Sequence, residues 1–122
     1  MVNLYGMEER RNLVRIPQEW EAQLRKNGSS YIPIKVRDFT PEGIGFESLS
    51  KIDAKDLEVF LRLGEEVLRF KASLRWLKPT DSGYIGGLKI THISQRDKMF
   101  LLLSYLGKLL FYLPSSFTLK PS

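Results

Sequence analysis

Apolar and polar residues alternate with a period of two from about residue 20 to residue 90, a pattern typical of half-buried β-strands. In the longest alternation, apolar side chains from Leu68 to Trp76 occupy every second position and are separated by polar or basic ones. Five shorter stripes of the same kind lie at 20–24, 32–36, 44–46, 57–63 and 88–90. The pattern predicts about six short strands, each with one buried face, including the face that carries Trp76.

Residues that favour turns separate these stripes. They are Asn27-Gly28, the stretch 38–43, Gly64 and the run from Asp81 to Gly83. Six short strands joined by such turns indicate an antiparallel barrel or sandwich. Pro33 interrupts the second stripe and cannot donate to a ladder, so an edge or a bulge is expected there.

The period changes after the last stripe. Ser94 and Asp97 have the spacing of a capping box, in which the hydroxyl and the carboxylate each accept from an unpaired amide. A helix is therefore predicted at 94–113, ending before Pro114. The remaining residues, 114–122, are predicted to be a loose tail.

The predicted helix is apolar around nearly its whole circumference, because 12 of the 15 residues in 99–113 are apolar. Three interpretations are open. The helix lies in a groove of its own domain, it forms a contact with a second copy or a protein partner, or it touches a membrane surface. The segment is shorter than the roughly 20 residues that a membrane span needs. A span is therefore not predicted.

Length and charge narrow the possible partners. The chain has 122 residues, which predicts a single domain, and a formal net charge of +5, which suggests an anionic partner. The basic residues are spread along the chain rather than gathered in a tail, so a small anionic ligand is favoured over a nucleic acid polymer. The sequence has no cysteine and begins without a secretion signal, so a reducing cytoplasmic location is expected.

No catalytic arrangement is recognisable in the sequence. His92 is the only histidine, and its position at the end of the last stripe favours a structural or exposed imidazole. Histidine and carboxylates do not occur with the spacing of a metal site, and a phosphate-binding Walker loop is lacking. The protein is therefore expected not to be an enzyme.

Two short motifs flank the first two strands. Arg10, Arg11 and Arg15 stand just before the first, and "DFTPEG" follows the second. Taken alone, the second motif reads as a turn in which Asp38 and Thr40 accept from local amides and Gly43 adopts a positive φ. Arginine forks suit phosphates and the O6/N7 edge of guanine, and a carboxylate accepts from the opposite edge of that base.

Together the two motifs resemble the signature of PilZ domains, receptors for the bacterial second messenger cyclic di-GMP. That signature is RxxxR, often RRxxxR, followed by [D/N]xSxxG roughly 20–30 residues later. The resemblance extends over about residues 9–113. It implies a mainly β fold, a six-stranded antiparallel PilZ-type barrel at 19–93 with a C-terminal helix, preceded by an N-terminal arm at 1–18.

The resemblance also implies a site and a function. Cyclic di-GMP, rather than a resident cofactor, is the expected ligand, and its binding orders the arm and signals to a protein partner. Thr40 departs from the usual serine and adds a methyl group and a stiffer side chain. Independently of the resemblance, the apolarity of segment 95–113 makes it the expected surface for a protein partner or a homodimer. The expected ligand-binding residues are Arg10, Arg11, Arg15, Asp38, Thr40 and Gly43.

Two alternative functions stay open at this stage. One is a PilZ-like interaction module that does not bind the nucleotide. The other is a small basic barrel that binds RNA or single-stranded DNA through aromatic and basic side chains. The residues considered for that surface are Tyr31, Phe60, Arg69, Lys71, Arg75 and Tyr84.

Overall fold

The computed structural model describes residues 13–112. Six strands are followed by one helix: β1 (Ile16–Arg25), β2 (Tyr31–Thr40), β3 (Gly43–Ser48), β4 (Asp56–Leu63), β5 (Glu66–Thr80), β6 (Gly83–Ile93) and α1 (Gln95–Tyr112). All neighbouring strands pair antiparallel, and the sheet closes on itself in the order β1-β2-β3-β6-β5-β4. The predicted six-stranded barrel with a C-terminal helix is confirmed.

The period-two stripes fill the inside of the barrel. Every strand contributes large side chains that are almost completely buried, and α1 adds Leu101 and Tyr105. Burial of this apolar surface, at roughly 25 cal/mol per Å², is the main stabilising term of the fold. The largest barrel side chains with less than 2% exposure are Leu24, Val36, Phe39, Ile44, Phe46, Val59, Leu61 and Leu68.

Trp76 does not follow the predicted alternation, because its side chain is 44% exposed. The pairing of β5 with β6 shifts register between Leu74 and Trp76. Such an irregularity re-aims the side chains that follow it. The prediction that Trp76 shares the buried face of Leu68 is therefore wrong, and the indole lies outside the core.

Pro33 occupies the position that its chemistry requires. It pairs with Gln23 of β1, whereas the pairing of β2 with β3 begins only at Lys35. At Pro33 the strand therefore has one strand neighbour, and its other side is an edge, where proline is tolerated. The predicted edge position is confirmed.

The helix begins at the predicted cap. The amide of Asp97 donates to Ser94 Oγ at 3.1 Å. The other half of the expected capping box is wrong, because the Asp97 carboxylate accepts from the backbone amide of Arg69 at 3.0 Å. Asp97 thus ties the start of α1 to β5. Within residues 13–112, no helix is both long and apolar enough to cross a membrane.

Candidate functional site

Two of the predicted site residues meet at the start of β1. Arg15 immediately precedes the strand, and the pairing of Pro17 with Asp38 places the two side chains side by side. Arg15 Nε donates to Asp38 Oδ1 at 2.7 Å, and the two side chains are 49% and 33% exposed. The bond uses only Nε. An open arginine–carboxylate pair of this kind can exchange its partners with a ligand.

The Asp38 carboxylate lies over bare backbone. Asp38 pairs with Gly45 of β3 next to a register shift, and a Cβ on Gly45 would lie 2.6 Å from Asp38 Oδ1. Any side chain at position 45 would therefore displace the carboxylate. Gly45 was not among the residues predicted from the sequence, although it lies two positions after the glycine of the motif.

Thr40 and Gly43 shape the turn between β2 and β3. The amide of Glu42 donates to Thr40 Oγ1 at 3.1 Å, as expected for a turn, and Thr40 is almost fully buried. The expected positive φ at Gly43 is wrong. A Cβ there would lie 2.3 Å from the Leu88 carbonyl oxygen, so the glycine is required because β3 and β6 pack closely.

These residues line an open cavity of about 400 Å³ at one end of the barrel. Its charged side chains come from β2, the turn after it, β5, β6 and the residue before β1, and the basic ones outnumber the acidic ones. The arrangement suits an anionic ligand with hydrogen-bonding edges. The charged lining residues are Arg15, Arg37, Arg75, Lys89, Asp38 and Glu42.

Trp76 forms a flat wall of this cavity. Its indole lies directly against the backbone of β6, because a Cβ on Gly87 would be 2.3 Å from Trp76 Nε1. The ammonium of Lys78 lies 5.8 Å from the indole ring centroid. An exposed aromatic plane fixed on glycine backbone offers a surface on which a purine can stack.

The cavity is connected to α1 through Tyr105. The phenol donates to the carbonyl oxygen of Val14 at 2.7 Å, one residue before Arg15. Its ring also packs edge-to-face on Phe39, the neighbour of Asp38, with centroids 5.8 Å apart. Burial raises the pKa of the Tyr105 phenol above its usual value, so the hydroxyl remains a hydrogen-bond donor at neutral pH.

The structure brings together four of the six predicted site residues, since Arg15, Asp38, Thr40 and Gly43 line one cavity. Arg10 and Arg11 lie outside the described residues, as do Pro114 and the predicted tail. Other residues at or beside the cavity were not predicted from the sequence, although the spacing of the two glycines and the Trp at the end of the longest alternation were visible signals. They include Gly45, Trp76, Lys89 and Tyr105.

The residues considered for nucleic acid binding do not form one surface. Arg25 lies 4.9 Å from the ring centroid of Tyr31, and Arg69 lies 5.4 Å from that of Phe60. Arg75, by contrast, lines the cavity at Asp38, whereas Phe60 and Tyr84 both line a separate depression of about 1090 Å³.

That larger depression does not contain the Arg15–Asp38 pair. It is lined by residues of all six strands and of the loop after β3, and its charged lining mixes both signs. Arg37, which it shares with the smaller cavity, is paired with Glu47 at 3.3 Å. Size alone therefore does not identify the functional site.

His92 lies on β6, with Nδ1 3.2 Å from the hydroxyl of Thr91.

Comparisons with known proteins connect this geometry to solved structures. A scan of the sequence against protein-family models found no match, and a search of curated proteins found none either. A comparison with solved structures found several similar folds. One is the Bacillus subtilis inhibitor of motility MotI/DgrA, with a TM-score of 0.69 and 20% identity over 84% of this chain and 52% of that one.

Two further structures are similar to the same extent. The PilZ domain of Escherichia coli YcgR, solved with c-di-GMP, gives a TM-score of 0.67 at 14% identity and matches 84% of this chain and 94% of that domain. MrkH of K. pneumonia gives 0.67 at 12% identity, over 84% of this chain and 49% of MrkH. The chain thus spans about half the length of MotI/DgrA and of MrkH. The closed barrel, its strand order and these superpositions establish that the chain has the fold of a PilZ domain.

Proposed function

We propose that this domain is a cyclic di-GMP receptor that binds the dinucleotide at the cavity of Arg15 and Asp38. The observation that carries the proposal is the exposed ion pair between these two residues at the rim of a basic cavity. The E. coli YcgR domain, which has the same fold, was solved with this ligand.

The chemistry of the pair matches guanine. Arginine donates to the O6/N7 edge or to a phosphate, and a carboxylate accepts from the N1 and N2 donors of the opposite edge. In the free protein Arg15 and Asp38 satisfy each other at 2.7 Å. A guanine can replace both halves of this bond, so neither charged group is left unpaired when the ligand arrives.

The surrounding residues support the same ligand. Trp76 offers a plane for base stacking, and Lys89 adds positive charge for the two phosphates. Arg10 and Arg11 are proposed to contact the ligand as well, on the basis of the sequence motif. Each good bidentate arginine–guanine contact contributes about 1–3 kcal/mol of discrimination. A dissociation constant in the micromolar range or below is expected, which corresponds to a binding free energy on the order of −8 kcal/mol.

We further propose that binding is transmitted to α1. The Tyr105 hydroxyl donates to the carbonyl oxygen of Val14, the residue before Arg15. A rearrangement of Arg15 therefore shifts a backbone group that is hydrogen-bonded to the helix. Phe39 provides a second contact between the Asp38 strand and the Tyr105 ring. The ligand therefore changes the stability or position of α1, and a protein partner binds the ligand-bound and free states with different affinity.

Calorimetric titration tests the proposal. The protein is titrated with cyclic di-GMP, with GTP and cyclic di-AMP as control ligands. Saturable binding of cyclic di-GMP alone is expected. Absence of cyclic di-GMP binding at 100 µM protein would favour the alternative of an interaction module, and a steep salt dependence of RNA binding would favour the nucleic acid alternative.

A further inference from the structure

The helix α1 has a second apolar face that the barrel does not use. Met99, Leu103, Leu106 and Leu110 are 49%, 59%, 47% and 75% exposed. At about 100° per residue these four side chains fall within roughly 60° of arc on one side of the helix. We call them the outer stripe. Their exposure rules out the interpretation that the helix is fully sunk in a groove of the described barrel.

The outer stripe lies opposite the barrel. The buried face of α1 is formed by Asp97, Leu101 and Tyr105, which are almost inaccessible. The helical period places the centre of that face about 170° from the centre of the stripe. The stripe therefore forms a crest that projects away from the domain, and another helix can approach it without meeting the barrel.

We propose that the outer stripe is the interface for a second copy of this chain, through an antiparallel pairing of the two α1 helices. The four residues are separated by 4, 3 and 4 positions. This is the spacing of a coiled-coil seam. It also reads the same in both directions, so two copies related by a two-fold axis bring Met99 opposite Leu110 and Leu103 opposite Leu106.

The area available fits a reversible dimer. Phe111 is 93% exposed but lies about 110° from the centre of the stripe, so its surface is not counted in the contact. With large apolar side chains of roughly 150–200 Å² each, covering the exposed parts of the four stripe residues in both copies buries on the order of 800 Å². This value lies in the range of weak, transient interfaces, below the roughly 1,200 Å² of stable ones. A dimer that dissociates on dilution is therefore expected.

Gly107 gives independent support. A glycine inside a helix costs about 1 kcal/mol relative to alanine. In this domain a Cβ at position 107 would meet no atom within 4 Å, so no contact within the described residues requires the glycine. Gly107 lies on the flank of the outer stripe, about 70° from its centre. A second helix that approaches closely would explain the glycine, because a residue without a side chain lets the two backbones come nearer to each other.

The charges of α1 favour a protein contact over a membrane surface. A helix that lies on anionic lipid carries its basic residues beside the apolar face. Here Lys98 and Lys108 are about 110° and 170° away from the centre of the stripe. Arg96 lies about 50° from that centre, but its guanidinium is held by Glu66 and Asp97. The described stripe itself contains no charged residue that would repel a second copy.

Sedimentation equilibrium from 5 to 500 µM tests the proposal. The wild type is expected to show a concentration-dependent monomer–dimer equilibrium, and the Leu103→Glu/Leu106→Glu variant to associate at least tenfold more weakly. Lys98→Glu/Lys108→Glu, which adds carboxylates to the same helix away from the stripe, is the control and should associate like wild type. Far-UV circular dichroism confirms that each variant is folded.

Cross-linking tests the orientation, because the chain contains no cysteine. Chains carrying Met99→Cys and chains carrying Leu110→Cys, distinguished by a mass tag, are mixed and oxidised. Mixed disulfide dimers should dominate, since two Met99 positions lie about 16 Å apart along an antiparallel pair. Predominance of like–like dimers would contradict the antiparallel pairing.

Two outcomes overturn the proposal as a whole. One is a wild type that stays monomeric up to 500 µM. The other is a monomer that co-sediments with vesicles of phosphatidylcholine and phosphatidylglycerol and loses this binding in the Leu103→Glu/Leu106→Glu variant. Neither outcome affects the proposed ligand site, because association is measured without ligand.

Discussion

Strand β1 has an arginine–carboxylate pair at each end, and the two pairs are built differently. At its start, Arg15 makes one bond through Nε to Asp38, above the bare backbone of Gly45. At its end, Arg25 donates to Glu58 Oε1 twice, from Nε at 2.9 Å and from Nη2 at 2.7 Å. The first pair opens onto a cavity, and the second is packed among aromatic rings.

The aromatic surroundings fix the second pair. The Arg25 guanidinium lies 4.9 Å from the Tyr31 ring centroid and 5.9 Å from that of Phe60, and the two rings pack edge-to-face. Its hydrogen bond lowers the pKa of the Glu58 carboxyl. An arginine held by two bonds and by aromatic rings contributes to stability, whereas the singly bonded Arg15–Asp38 pair keeps donors and acceptors available for the proposed ligand.

The largest expected effect comes from removing either member of the open pair. Arg15→Ala and Asp38→Ala should each weaken cyclic di-GMP binding at least tenfold. Each substitution removes proposed hydrogen bonds to guanine and leaves the other charged residue of the pair without its partner. Arg25→Ala and Glu58→Ala are the matched controls and should change affinity less than twofold. Calorimetry measures all four. Equal losses at both ends of β1 would show that the two pairs do not differ in function.

A smaller effect is expected when the pair is kept but displaced. Gly45→Ala places a Cβ 2.6 Å from the present position of Asp38 Oδ1, so the carboxylate must shift. Binding should weaken roughly five- to tenfold, about 1 kcal/mol or slightly more. Gly107→Ala, where the added methyl meets no atom, is the control and should bind normally. Unchanged binding in Gly45→Ala would mean that Asp38 does not contact the ligand.

The next effect concerns the connection of the open pair to α1. Tyr105→Phe removes the bond to the Val14 carbonyl and keeps the ring on Phe39. Loss of one hydrogen bond of about 1 kcal/mol should weaken binding by no more than roughly fivefold. In hydrogen-exchange measurements, ligand should change protection of α1 in the wild type and much less in the variant. An undiminished response in Tyr105→Phe would exclude this hydroxyl as the connection.

The smallest effect is expected for the Arg25–Glu58 pair and concerns the pH dependence of the free energy of unfolding. Because the pKa of Glu58 is lowered in the folded protein, its stabilisation is present above the usual carboxyl pKa and is lost as pH falls through the lowered value. In urea unfolding, the advantage of wild type over Glu58→Gln should shrink between pH 7 and pH 3. Glu65→Gln, an exposed change at the β4–β5 turn, should show no such trend. A constant advantage would contradict the assigned role of Arg25.

Much of the fold could be predicted because it depends on local patterns. Alternation identified the strands, and the position of Ser94 identified the start of the helix. Trp76 was misplaced because a register shift between β5 and β6 is a pairing effect, which one strand's sequence does not reveal. The Asp97 carboxylate likewise found its partner in β5 rather than in its own helix.

The candidate site was only partly predictable for the same reason. The motifs identified Arg15 and Asp38, whose contact follows from the pairing of β1 with β2. Gly45 and Tyr105 depend on atoms that lie far away in the sequence or across strands, and a single sequence gives no direct signal of such approaches. The outer stripe was visible as excess apolarity, but its position opposite the barrel emerged only from the packing of α1.

The most direct test of the binding site is an NMR titration of the uniformly labelled domain with cyclic di-GMP. Two tryptophans provide internal probes, since Trp76 lines the cavity and the partly buried Trp20 packs on Phe39 of the core. Saturating shifts are expected at the amides of Asp38 and Gly45 and at the Trp76 indole, with no comparable change at Tyr31. Shifts confined to the Tyr31 end of β1, or no shifts at all, would exclude binding of the dinucleotide at this cavity.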